Sequence, residues 1–128
     1  MSRIAVQTTS APTPVGSYSQ GARRGALLQV AGQGGTDPAT GKLVPGGVAE
    51  QTARTLRNIE AILASEGATF ADVIMVRVYL AQADDFAAMD AAYGAFLGRP
   101  FPARTTVVVG LLSGMLVEID ALAVLPDR

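Results

Sequence analysis

The sequence contains no histidine, no cysteine and no tryptophan. Without cysteine there is no disulfide framework, thiol nucleophile, iron–sulfur site or thiolate zinc site, and without histidine neither a Ser-His-Asp triad nor an imidazole metal site can form. Any chemistry falls to carboxylates, arginine, hydroxyls and backbone groups. Charge is also scarce: charged residues make up 16% of the chain, where roughly 25% is usual for a soluble domain. Apolar residues reach 49%, so part of the surface is expected to be buried against another chain. Ten basic and eleven acidic residues give a formal charge of −1, which creates no positive field for a phosphate backbone, and the one tight basic pair is Arg23-Arg24. No nucleic-acid partner is expected. No run approaches the roughly 18 apolar residues of a membrane span. Met1 to Gln7 also lacks an apolar stretch followed by a small-residue cleavage site. The expectation is a cytoplasmic protein with no membrane partner.

A chain of 128 residues suffices for one core without disulfide or metal, so residues 1–128 are read as a single domain. Residues 10–25, rich in Pro, Gly and Ser, predict an ordered loop or irregular edge strand. Ala26 to Ala31 reads as a strand stopping at Gly32, followed by the turn signals Gly34-Gly35-Thr36-Asp37-Pro38 and Thr40-Gly41. After Gly46-Gly47, the spacing of Val48, Thr52, Leu56, Ile59 and Leu63 predicts an amphipathic helix up to Ser65, with Gly67 as its left-handed cap. Val73 to Leu80 is β-rich. Asp84 or Asp85 is the expected cap of a second helix carrying Phe86, Met89, Tyr93, Phe96 and Leu97, which ends near Gly98-Arg99-Pro100. Ala103 to Val109 and Met115 to Leu125 complete the strands. This is an α+β pattern, a mixed β-sheet with two helices on one face.

Alternation along the strands separates their faces. Met115, Val117, Ile119, Ala121, Ala123 and Leu125 form a wholly apolar face expected to meet the helices, as do Ile74, Val76, Val78 and Leu80. The reverse face of the last strand carries Leu116, Glu118, Asp120, Leu122 and Val124, with carboxylates among aliphatic side chains. Such a half-apolar face is most simply covered by other copies of the chain, which would place ionisable groups at a subunit boundary.

Arg104 shares a strand face with Thr106 and Val108. Its guanidinium could hold a carboxylate in bidentate fashion, or it could be an edge arginine paired with Glu118 or Asp120. Glu118, expected on the same side of the sheet as Arg104, could activate water if burial raises its pKa, or could pair with Arg77 or Arg104. Tyr18 could line a pocket or cap the core. Gly32 and Gly34-Gly35 could bring backbone N–H groups to a ligand, but they form no nucleotide-binding loop and are equally explained as turn residues. Neither Glu118 nor Asp120 has metal-ligand company, so no metal site is read; no cofactor is expected either.

Several stretches together resemble one family: Ala11-Pro12 with Val15-Gly16-Ser17-Tyr18-Ser19-Gln20-Gly21, Ala31-Gly32-Gln33, Asp37-Pro38-Ala39-Thr40-Gly41, Val76-Arg77-Val78-Tyr79-Leu80, Asp90-Ala91-Ala92-Tyr93, Phe101-Pro102-Ala103-Arg104 and Val117-Glu118-Ile119-Asp120-Ala121. In this order they resemble the RidA/YjgF reactive-intermediate deaminases, also filed as endoribonuclease L-PSP. The resemblance implies a chorismate-mutase-like α+β subunit in a homotrimer with pockets between subunits. It also implies hydrolysis of small 2-imino or enamine acids to 2-oxo acids and ammonia. Arg104 would clamp the substrate carboxylate and Glu118 would position or activate water. Tyr18, Ala31, Gly32, Asp90 and Thr106 would line the substrate site. The family often has Ser, Asn and Cys where this chain has Ala31, Asp90 and Thr106, which leaves the physiological substrate open. The alternative is a non-catalytic homotrimer that binds a small carboxylate or a protein in the same cleft.

Overall fold

A computed structural model describes residues 2–126. Its strands are β1 (Ile4–Val6), β2 (Gly21–Arg24), β3 (Leu27–Gln33), β4 (Val73–Leu80), β5 (Ala103–Val108) and β6 (Val117–Val124), and its helices are α1 (Val48–Ala64) and α2 (Phe86–Leu97). The strands form one six-stranded sheet in the order β1-β2-β3-β6-β4-β5. Every pairing is antiparallel except β4 with β5, which is parallel and uses α2 as its crossover. Both helices cover one face. Among the described residues no helix is long and apolar enough to cross a membrane.

Helix α1 begins where the Glu50 carboxylate accepts the Gly47 backbone N–H at 2.7 Å, which satisfies one free donor and places negative charge at the helix N-terminus. It ends in a Schellman arrangement: Gly67, at φ 73°, donates to the Ala64 carbonyl, and Ala68 donates to that of Leu63. Between these caps the apolar stripe is buried, with Leu56, Ile59, Ile62 and Leu63 sharing one core with Val76 and Val78 of β4 and Val117, Ile119 and Ala121 of β6. Leu56 is fully buried, so Leu56→Ala should destabilise the protein by about 2–5 kcal/mol. Equilibrium urea unfolding checks this; a loss below about 0.5 kcal/mol would contradict the packing of α1 against β4 and β6.

The sheet departs from simple alternation at two places. In β4, Val73 pairs with Ala123 and Met75 with Leu122, which leaves Ile74 as an extra residue in a bulge. Val73 takes the core position and Ile74 turns outward, 54% exposed; the expected core row therefore begins at Val73 rather than Ile74. In β3 the register shifts between Val30 and Gln33, so that strand runs two residues past its expected end with Ala31 and Gly32 in the irregular stretch. Asp85 directly precedes α2 but makes no side-chain cap. The helix is entered through a 3-10 turn, Ala83–Asp85, instead. The Pro- and Gly-rich N-terminal region contains β2, and β1 pairs with it outside any segment read as a strand.

The outer face matches the alternation of β6. Leu27, Ile74, Val107 and Val124 are exposed on it. Asp120 accepts hydrogen bonds from Arg77 Nε and Tyr79 Oη, each at 2.8 Å. Aliphatic and charged groups thus share a surface that no helix among the described residues covers.

Candidate active site

The parallel register of β4 and β5 decides where Arg104 lies. Arg104 pairs with Val76, Thr106 with Val78 and Val108 with Leu80. Paired residues point to the same face, so Arg104 and Thr106 lie on the helix side of the sheet. The Arg104 guanidinium centres 4.7 Å from the Tyr93 ring and 5.6 Å from the Phe86 ring, and its Nη1 is 2.8 Å from Asp90 Oδ1. These three α2 residues follow helical spacing (positions 86, 90 and 93), which brings them to one face of the helix. Asp90 and Tyr93 line an open hollow of about 340 Å³ together with Gly94, Phe101, Pro102 and Arg104. The Tyr93 hydroxyl is buried without a hydrogen-bond partner among the described residues. Burial raises its pKa; the Arg104 charge opposes that rise and Asp90 adds to it.

Glu118 lies on the reverse face. It pairs with Tyr79, one residue out of phase with the buried Val78 and Leu80. The expectation that Arg104 and Glu118 share one side of the sheet is therefore corrected: within one chain they are on opposite faces. The physical reason is register. Arg104 is level with an inward residue of β4 and Glu118 with an outward one. Neither carboxylate of β6 partners Arg104, which pairs with Asp90; Arg77 pairs with Asp120. Glu118 has no hydrogen-bond or ion-pair partner among the described residues. Burial raises its pKa above the ordinary carboxylate value, and the neighbouring Asp120 charge raises it further.

Gly32 is where backbone meets this carboxylate. A Cβ on Gly32 would lie 2.5 Å from Glu118 Oε2, so the absence of a side chain permits the approach. Ala31 lines a second hollow, of about 610 Å³, with Arg3, Ser17, Tyr18, Ser19 and Gln29. Tyr18 is 48% exposed and its hydroxyl accepts the Val15 N–H at 3.2 Å; it does not cap the core. The seven candidate residues thus separate into two groups. Asp90, Arg104 and Thr106 are on the helix side near the β5 edge, while Tyr18, Ala31, Gly32 and Glu118 lie on the other side. Tyr93 and Phe86 join the first group through the fold alone, although their helical spacing to Asp90 is a usable signal in the sequence.

Comparison with known proteins identifies the family. The family described as Endoribonuclease L-PSP matches residues 8–125. The chain belongs to this family, also known as RidA/YjgF. A RutC family protein of Pyrococcus abyssi is 43% identical over 124 residues, covering 96% of this chain and 98% of its own. The 2-iminobutanoate/2-iminopropanoate deaminase of Capra hircus is 41% identical over 123 residues, covering 95% of this chain and 90% of its own. The crystal structure of RidA from an Antarctic Psychrobacter superposes with a TM-score of 0.91 at 36% identity, over 95% of this chain and 99% of that one. The six-stranded sheet with two helices on one face is the RidA/YjgF architecture, and the departures from simple alternation concern side-chain placement within it.

Proposed function

We propose that this RidA/YjgF protein is an enzyme that hydrolyses small 2-imino acids, or the enamines that tautomerise to them, to 2-oxo acids and ammonia. The observation that carries the reading is the division of the site. A guanidinium suited to a carboxylate and a half-buried, unpartnered carboxylate suited to water stand on opposite faces of one subunit. A head-to-tail contact places different surfaces of two copies against each other, and three such contacts close a ring. A homotrimer of this kind would bring Arg104, Asp90 and Thr106 of one copy to Tyr18, Ala31, Gly32 and Glu118 of the next, and would cover the outer aliphatic face. The deaminase relative of Capra hircus supports the reaction class.

In this site Arg104 holds the substrate carboxylate in a planar fork. Glu118 accepts a proton from water as its oxygen bonds to the electrophilic imine carbon, and the π electrons of the C=N bond pass to nitrogen. From the protonated imine this gives a neutral carbinolamine. Glu118 returns the proton to nitrogen and then accepts the hydroxyl proton as the C=O bond forms and the C–N bond breaks, and the ammonia released takes up that proton and leaves as ammonium. The imine carbon is already electrophilic, so orientation and one assisted proton transfer suffice.

Two measurements test this. Imino acids generated in situ by an amino-acid oxidase, with EDTA present, should disappear faster with the protein than in buffer. No acceleration for any of them would favour the small-carboxylate binding alternative. The shared site is tested by co-refolding Arg104→Ala and Glu118→Gln chains in equal amounts. Random assembly gives about one interface in four a complete Arg104–Glu118 set, so activity should recover to about a quarter of wild type. Activity remaining at the parental level would place both groups in one subunit's site, and a monomer by light scattering would remove the ring.

A further inference from the structure

The Arg104 site is not a bare cation. Asp90 stands 2.8 Å from Nη1, which leaves the pocket with one positive and one negative charge side by side. Asp90 is 51% exposed and Arg104 20% exposed, and both line the same hollow with Tyr93 and Phe101. A guanidinium carries five N–H donors, so one contact at Nη1 leaves donors for a second carboxylate. Asp90, being exposed on one side, retains acceptor capacity for a ligand cation. Tyr93 and Phe86 pack against the guanidinium and hold the positive end of the pair in place.

The geometry points to Asp90 as a specificity-determining residue: the Asp90–Arg104 pair selects zwitterionic acids, whose carboxylate meets Arg104 while a cationic nitrogen on the adjacent carbon meets Asp90. This rests on the proposed reading of Arg104 as the carboxylate clamp and names the charge state of its substrate. A protonated 2-imino acid has the matching charges one carbon apart. Its hydrolysis product, a 2-oxo acid, keeps the carboxylate and loses the cation. Asp90 is then a like charge beside a mono-anion, so the same residue that admits the substrate weakens the hold on the product. An amide at position 90 would keep the shape and remove this discrimination.

The probes are two acids of one carbon skeleton, 2-aminobutanoate as the zwitterion and butanoate as the mono-anion, titrated into the assembled protein by calorimetry or ligand-observed NMR. Wild type should prefer the zwitterion. Exchange at a half-exposed ion pair is modest, so Asp90→Asn should tighten butanoate and weaken 2-aminobutanoate by about three- to tenfold each. Inhibition by 2-oxobutanoate in the deaminase assay should strengthen in parallel. Asp90→Glu, which retains the charge, should keep the preference. A zwitterion affinity in wild type no higher than that of butanoate, undetectable binding included, overturns the inference. An unchanged affinity ratio in Asp90→Asn overturns it as well. Arg104→Ala separates the two levels: loss of both probes upholds the clamp whatever Asp90 does, whereas retention of both removes the reading of Arg104 itself.

Discussion

Arg104→Ala should lower kcat/KM for a 2-imino acid by about one to two orders of magnitude, the loss expected for a hydrogen-bonded contact to a charged group. The side chain lies between the Tyr93 and Phe86 rings and the Asp90 carboxylate, so it is held before any substrate arrives. Such a group binds with less ordering cost than a free surface arginine. Arg104→Lys should recover only part of the loss. An ammonium can still pair with Asp90 and sit over the aromatic rings, but it cannot offer two parallel N–H bonds. Thermal unfolding of both variants should accompany the assay, because removing the guanidinium also removes its packing against Tyr93. A full rate in Arg104→Ala would discard the clamp.

Glu118→Gln should reduce turnover further, by about 10²–10⁴-fold, with substrate affinity largely kept, because the amide preserves shape and cannot take the proton of water. The pH profile gives a second check. Burial, reinforced by the Asp120 charge, raises the Glu118 pKa, and the base is the ionised form. As pH falls, Glu118 takes up its proton at a higher pH than an ordinary glutamate. The wild-type rate should therefore fall on an acid limb displaced to higher pH than an ordinary glutamate would give. In Glu118→Gln the residual rate should lack that limb. A wild-type rate retained by the variant would keep the enzyme and remove Glu118 as its base.

Much of this molecule can be read from local pattern. The stripe Val48, Thr52, Leu56, Ile59 and Leu63 specifies the buried face of α1, and Gly67 its end, because helical periodicity and a left-handed cap depend only on neighbours in the chain. The wholly apolar row of β6 likewise identifies the face that meets the helices. The aliphatic groups around Glu118 also mark the outer face of the sheet, on which Leu27, Ile74, Val107 and Val124 stand exposed. Arg104 and Glu118 stand out because the chain has neither histidine nor cysteine to compete with them, and the family membership follows from motifs in their order along the chain.

Other features depend on which strand lies beside which, and in what register. Ile74 continues a perfect alternation in the sequence, yet one extra residue in β4 turns it outward and puts Val73 in the core. No local signal marks that bulge. Glu118 lies on the outer row of β6 as its alternation predicts, whereas the pattern of β5, with Thr105 and Thr106 beside Arg104, leaves the side of Arg104 open. The pairing of Arg104 with Val76 and of Glu118 with Tyr79 sends them to opposite faces, and this pairing is set by packing among segments distant in sequence. The Asp90–Arg104 contact joins a helix to a strand across the crossover. The sequence by itself determined the periodic elements, the buried helix stripe and the inventory of reactive groups, since these follow from short-range geometry and composition. Only the tertiary structure decided the side of Arg104, the outward turn of Ile74 and which groups pair, because these depend on register between strands and a one-residue shift reverses every side chain that follows.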